Sequence, residues 1–313
     1  MNIESVGVIG GGAWGTALAQ SCCVAGRSVR LWAFEQETVD SINATHKNKA
    51  YLPDASLDPK LVATVDREEV GRCDIVLMVA PAQHVRNVSE AFAPHIAEGK
   101  SVVICAKGIE QSSQKLMSEV LAETLPNRQI AVLSGPTFAI EIARGLPAAL
   151  TLATTDETLG KTIAYAISSQ SFRTYWSDDV VGAQIGGAIK NVLAIAAGIA
   201  RGKQLGANAH AALIARGFQE LLLFGLALGG KSETLSGLSG LGDLILTCSS
   251  TNSRNMSLGY ALGEGKTINE VLDQRNSVTE GVYTASAIAE IAAAKSIDLP
   301  TVSYTHLRAH ETA

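Results

Sequence analysis

Up to about residue 180 the chain alternates short runs of β-branched and aliphatic residues with longer amphipathic intervals. The runs VGVIG, SVRLWAF, DIVLMVA, SVVICAK, QIAVLSG and AALTLAT each end at Gly, Pro or a polar residue, which predicts six strands. Helical spacing in most of the intervals between them makes the assembly a mostly parallel, doubly wound α/β sheet. From about Gly182 to about Ala294 the pattern changes, with Ala, Leu, Ile and Gly recurring at helical spacing and no further strand runs. The expected organisation is an α/β domain over 1–183, an all-α domain over 184–302 and an atypical tail over 303–313, where SYTHLRAHETA lacks apolar periodicity. With no internal repeat and no low-complexity linker, the two domains are expected to join directly through a helix.

The first strand runs straight into Gly10-x-Gly12-x-x-Gly15 at the mouth of a helix. In such a loop the first Gly makes the tight turn, the second lets the backbone approach a pyrophosphate and the third allows close helix packing. The helix N-terminus then faces the phosphates. Glu35, twenty positions beyond Gly15 at the end of the second strand, is placed to meet a ribose hydroxyl, so the loop reads as a Rossmann-like dinucleotide site. Ligands of open α/β sheets bind beyond the carboxyl ends of the strands. There this chain has APAQHVR, AKGIE with Lys107, and SGPTFAIE with Ser134, Gly135 and Thr137. Lys107 alone could be solvated surface, but three polar exits around one dinucleotide site favour a substrate pocket.

Composition narrows the class of protein. The chain has 313 residues, 47% of them hydrophobic, which is ample for two packed cores. A net charge of −5 without any basic run argues against nucleic acid as a partner and leaves small anionic substrates open. Five cysteines without metal-type spacing, and a start directly in a strand, lead to the expectation of a reducing cytoplasm, no signal peptide and no metal. The apolar runs are short, and Lys190-Asn191 interrupts the longest, so no membrane span is expected.

That interruption is the most informative pair in the helical region. Lysines on helices ordinarily keep their heads in water. Here Gly182, Gly186, Gly187 and Ala188 are expected to leave the helix surface open for close approach, and Asn191 adds an amide able to orient a ligand. Partial burial lowers a lysine pKa toward the range where it both accepts and donates a proton, which hydride chemistry at a carbinol carbon needs. Further on, Gly240, Gly242 and Asp243 form a bend, and Ser253, Arg254 and Asn255 place two donors beside a guanidinium. That grouping suits phosphate recognition as well as it suits a solvated loop.

Taken together, GGGAWGTALA, NKAYLP, AKGIE, SGPTFAIE, GGAIKNVLAIAAGI, LGDLILT, NSRN and VTEGVYT resemble the bacterial NAD(P)-dependent sn-glycerol-3-phosphate dehydrogenases, in family order from about Val6 to Thr284. The resemblance implies interconversion of dihydroxyacetone phosphate and sn-glycerol 3-phosphate, feeding glycerophospholipid synthesis. It implies that Lys190 is the proton donor and acceptor, and that Lys107, Gly135, Thr137, Asp243, Ser253, Arg254 and Asn255 surround the phosphorylated substrate. It further implies that Ala13, Trp14, Phe34, Lys107, Ala139, Arg254, Val278 and Glu280 line the NAD or NADP. Phe34 stands where members often carry Arg or His, so NADH is expected to serve at least as well as NADPH. RGKQ, Arg201 to Gln204, stands in place of the usual DGLG, and the sequence after Leu299-Pro300 departs from the family's further helix. A homodimer is one expectation for its assembly. The competing readings are a related dehydrogenase of another hydroxy acid or phosphorylated polyol, and a dinucleotide sensor without catalysis.

Overall fold

The computed structural model describes residues 2–272 and 280–310, without the side chains of 306–310. Eight strands form one sheet: Ser5–Ile9 (β1), Ser28–Trp32 (β2), Val62–Thr64 (β3), Ile75–Met78 (β4), Ser101–Ile104 (β5), Gln129–Ser134 (β6), Ala148–Ala153 (β7) and Phe172–Ser177 (β8). Their order is β3-β2-β1-β4-β5-β6-β7-β8. All neighbours are parallel except β6 and β7. Helices cover both faces, so the central strands read as unbroken apolar runs instead of alternating ones. Val6, Val8, Ile9 and the whole of β4 are sealed from solvent. The two strands beyond the expected six lie at the edges. β3 has three residues, and β8 (FRTYWS) mixes aromatic with polar residues and is only partly buried, so neither carries a strong aliphatic run.

Strand order reverses between β1 and β4, which opens a crevice at their carboxyl ends. Past β8 the chain is helical throughout the described residues. Its organiser is the helix Val180–Gly202, capped by Asp179, whose carboxylate accepts from the Gly182 N–H at 2.8 Å. The other Asp179 oxygen accepts from Lys231 N–H, also at 2.8 Å. The expected change at 183/184 therefore falls inside this helix, three residues past its start. Every residue from Gly182 to Ala200 is buried. By length and apolarity this helix could cross a bilayer, yet 89% of its most apolar window is buried inside the protein, as in a core helix.

The helix is reached closely by the helix Arg254–Gly263. A Cβ on Gly198 would lie 2.2 Å from the Met256 carbonyl oxygen, and one on Gly259 would lie 2.0 Å from that of Ile195. The backbones touch because both helices present glycine at the crossing. The atypical tail expected over 303–313 is helical in its described part, within Pro300–His310. Leu299, Val302 and Thr305 are buried along one side, and Glu220, itself fully buried, accepts from the N–H groups of Thr301 and Val302. The three-residue spacing was obscured because one of its members is a threonine. Gly259→Val should force the two helices apart and lower stability by about 2–3 kcal/mol, read as a lower urea midpoint. A midpoint equal to the parent's would show that the crossing has slack.

Candidate active site

Each parallel strand along the crevice delivers one part of the site. β1 ends in the glycine loop: Gly10 has φ +126° and donates to the Trp32 carbonyl at 3.0 Å. A Cβ on Gly15 would lie 1.8 Å from the Gly10 carbonyl oxygen, so the loop folds back on its own helix, Ala13–Val24. In front of Gly12 nothing lies within reach of a Cβ, and this helix has no side-chain cap. Its first-turn amides thus face open space, the arrangement that receives a pyrophosphate. The Trp14 indole N–H beside them is enclosed without an acceptor. These features fit a dinucleotide.

Ala13 and Trp14 occupy the start of that helix, and Ala139 starts the helix Ala139–Ala143. Beyond β2, Phe34 is 77% exposed and meets Trp32 edge to face, while Glu35 accepts a hydrogen bond from the Tyr51 hydroxyl at 3.2 Å. Buried Asn48 donates to the Gly11 carbonyl and to the Thr16 hydroxyl, both at 2.8 Å, and so fixes the glycine loop from below. The NKAYLP stretch therefore supplies two supports, Asn48 and Tyr51, that the glycine pattern does not disclose.

Lys107, after β5, sends its Nζ to the Gly135 carbonyl at 2.8 Å and to Asp243 Oδ2 at 2.6 Å. Lys190 reaches the other oxygen of Asp243 at 3.1 Å and donates to the Thr247 hydroxyl at 3.0 Å. Asp243 has no exposed surface, and Lys190 is 7% exposed. Burial pulls the Lys190 pKa down from 10.5 to about 8, against the upward pull of Asp243 and with further help from Lys107. Thr247 was missed by the sequence reading. Its signal is the spacing of four from Asp243, which stacks the two on one helix face.

The glycine patch around Lys190 receives the close approach expected of it, and what approaches is the protein's own chain. A Cβ on Gly186 would lie 2.3 Å from the Ser239 carbonyl oxygen, and one on Gly187 would lie 3.0 Å from Ser134 Oγ and 3.3 Å from Lys107 Cγ. Those glycines admit the bend at 238–242 and the Lys107 stem, and so bring Asp243 to Lys190. Thr137 lies beside Gly135, its hydroxyl 3.4 Å from the Gly135 carbonyl.

Asn191 donates to the Lys107 carbonyl at 3.5 Å and accepts from Asn255 at 2.8 Å, and the Asn255 side-chain Oδ1 accepts from Gly281 N–H at 3.1 Å. Asn255 thus ties three helices together in the interior. Ser253 caps the helix Arg254–Gly263 by accepting from Met256 N–H, and Arg254 is exposed at its first position. Glu280 Oε1 accepts from Ala82 N–H at 3.0 Å, while Oε2 is enclosed without a partner. Burial pushes this carboxyl from 4.5 up to about 7, against the hydrogen bond from Ala82 and the charges of Arg254 and Lys190. Val278 lies outside the described residues.

A doubly wound sheet with a glycine loop at its switch point, facing a buried lysine on a helical partner, defines a nicotinamide-dinucleotide dehydrogenase of the two-part kind. Residues 5–160 match the family model described as the N-terminus of NAD-dependent glycerol-3-phosphate dehydrogenase, and residues 179–311 match that of its C-terminus. The chain belongs to this family. It is 57% identical over 297 residues to glycerol-3-phosphate dehydrogenase [NAD(P)+] of Parvibaculum lavamentivorans, covering 95% of this chain and 89% of the relative. It is 55% identical over 300 residues to that of Caulobacter vibrioides, covering 96% and 91%. The crystal structure of glycerol-3-phosphate dehydrogenase from Coxiella burnetii superposes with a TM-score of 0.94 at 36% identity, covering 99% of this chain and 96% of that one.

Glu280 yields a stability prediction. Its folded pKa is raised, so between pH about 4.5 and about 7 the folded state holds a proton that the unfolded state has lost, and stability falls as pH rises through that window. Glu280→Gln should flatten this decline. Urea midpoints at pH 5 and pH 7.5 would check it, and an unchanged slope would contradict it.

Proposed function

We propose that this chain interconverts dihydroxyacetone phosphate and sn-glycerol 3-phosphate in the cytoplasm, supplying the backbone of glycerophospholipids. The observation that carries the reading is the buried Lys190, held by Asp243 and Thr247 and sharing Asp243 with Lys107, which follows β5. When bound, the nicotinamide supplies or takes the hydride at the central carbon. Lys190 gives its proton to the carbonyl oxygen in reduction and takes the hydroxyl proton in oxidation. Asp243 and Thr247 hold the ammonium in place. Lys107 and Arg254 bring positive charge to a phosphate, while Gly135 and Thr137 complete the walls. Five free, buried cysteines support a reducing compartment. Exposed Leu223 and Leu226 on the helix Gly206–Ala227 support a homodimer.

With its pKa drawn down to about 8, Lys190 is protonated below that pH and neutral above it. Reduction needs the proton, so its kcat/KM should fall as pH rises through about 8. Oxidation needs the neutral amine and should rise through the same point. Lys190→Ala should lower both by roughly 10²–10⁴-fold and leave cofactor affinity near normal. Steady-state rates in both directions test this, and turnover within a few-fold of the parent would remove Lys190 from the chemistry.

Phe34 and Glu35 decide between the cofactors. A 2′-phosphate carries close to two negative charges, and Phe34 offers none of the opposite sign. Glu35 suits the free ribose hydroxyls of NADH and repels a phosphate. Catalytic efficiency should be at least as high with NADH as with NADPH. Phe34→Arg should shift the ratio toward NADPH by roughly tenfold to a hundredfold. A parent more than tenfold better with NADPH would refute the assignment, as would an unmoved NADPH dissociation constant in Phe34→Arg.

A further inference from the structure

Three residues past Lys107, the chain is fastened to the neighbouring strand exit by an ion pair that the chemistry above does not use. Arg86, on the helix Val85–Phe92, presents its Nε to Glu110 at 3.0 Å and a terminal nitrogen to the second Glu110 oxygen at 2.8 Å. Glu110 is only 5% exposed and also accepts the Ser113 hydroxyl. The same guanidinium nitrogen reaches Glu123 at 2.9 Å. One turn earlier, Gln83 donates to the Ile109 carbonyl at 2.8 Å and accepts from Gln111 N–H at 2.9 Å. Gly108 between them lies against Ala82, with 2.6 Å from its notional Cβ to the alanine methyl. On the other side the Lys107 carbonyl rests on Asn191. The backbone that carries Lys107 is thus gripped from both directions.

A bidentate pair with a carboxylate this deeply enclosed is directional and stiff, unlike the exposed ion pairs elsewhere on the surface. We propose that Arg86 and Glu110 are positioning residues for the reaction, acting through Lys107 to hold its ammonium on Asp243. The proposal rests on the role given to Lys107 above. Loosening the clamp lets Lys107 move off Asp243, which leaves that carboxylate to Lys190 alone and removes a neighbouring positive charge. Both changes favour protonated Lys190. Among the described residues, the charged and titratable groups around Lys190 are Asp243 and Cys248 from the helix Asp243–Ser249, Lys107 from the loop after β5, and Glu280 from the helix Glu280–Ala294. Of these, the clamp touches only the setting of Lys107.

The test is a double-mutant cycle on the full-length protein, with Glu110→Gln, Lys107→Met and the double variant, read as kcat/KM for dihydroxyacetone phosphate against pH. Glu110→Gln should lose roughly tenfold to a hundredfold. The falling limb of its reduction profile should move to higher pH by about half a unit, while the NADH dissociation constant, read by fluorescence, stays at the parent value. In the Lys107→Met background the same change should cost little more, because the clamp then has nothing to hold. Should Glu110→Gln fail to fold, Arg86→Lys keeps both charges, loses the fork and should show the same pattern in smaller measure. An unmoved limb, or losses that multiply in full with those of Lys107→Met, would overturn the proposal as a purely structural effect. Parental efficiency in Glu110→Gln beside an impaired Lys107→Met would overturn the clamp alone. Parental efficiency in Lys107→Met would overturn the reading of Lys107, and the clamp's role with it.

Discussion

One buried carboxylate, Asp243, holds two ammonium groups, and the site is arranged around that imbalance. At 3.1 Å, with an effective dielectric near 20, Asp243 attracts the Lys190 charge by about 5 kcal/mol. The Lys190 pKa nevertheless sits near 8 instead of 10.5, a net bias of about 3 kcal/mol against the protonated form. Burial and the second ammonium together therefore oppose the charge by about 8 kcal/mol. Without Asp243 the lysine would be a neutral amine at physiological pH and no acid. Without Lys107, Asp243 would hold the proton on Lys190 more tightly. The competition leaves a group that can exchange a proton near neutrality, with one excess positive charge suited to an anionic substrate.

Bringing three charged groups from distant parts of the chain onto one spot requires backbones to approach within van der Waals distance. Gly186 admits the main chain at Ser239, which precedes Asp243, and Gly187 admits the Lys107 stem. At the far end of the same helix, Gly198 and Gly259 allow the helix that begins at Arg254 to lie against it. Asn191 and Asn255 then share a hydrogen bond in the interior, where a shift of an ångström would leave Asn191 Oδ1 and Asn255 Nδ2 unpaired. The small residues of IGGAIKNVLAIAAGIA thus serve the ion cluster through packing, which explains why a lysine and an asparagine can sit within the buried stretch of this helix.

Much of this was legible in the chain, because some features depend on local pattern and others on pairing at long range. The glycine loop, the six interior strands and the isolation of Lys190 are local: turn chemistry, apolar runs and an interruption. Edge strands β3 and β8 lack the apolar run because their environment does not demand one. The glycine patch is legible as a place of close approach, but nothing in the sequence says that Ser239 and Lys107 are what approaches. Thr247 and Asn48 are common polar residues whose partners lie 57 and 32 positions away, at Lys190 and Thr16. The helix at Pro300–His310 depends on Glu220, which meets its first amides from 81 residues away.

The same burial that tunes Lys190 also raises Glu280, from the opposite side, to about 7. Near neutral pH the folded protein carries the cost of both, because the unfolded chain would keep Lys protonated up to about 10.5 and Glu ionised down to about 4.5. Together that cost is on the order of 5 kcal/mol, comparable to the whole stability of an ordinary domain. It is offset by the apolar surroundings that create it: Ile185, Ile189, Val192 and Leu193, on the helix that carries Lys190, are buried to within 1%, and each such side chain contributes about 1.5–3 kcal/mol on removal from water. The long helix is therefore under two opposing demands. Its flanks must be apolar enough to pull a lysine toward neutrality, and the energy of burying those flanks is what lets the fold tolerate that lysine.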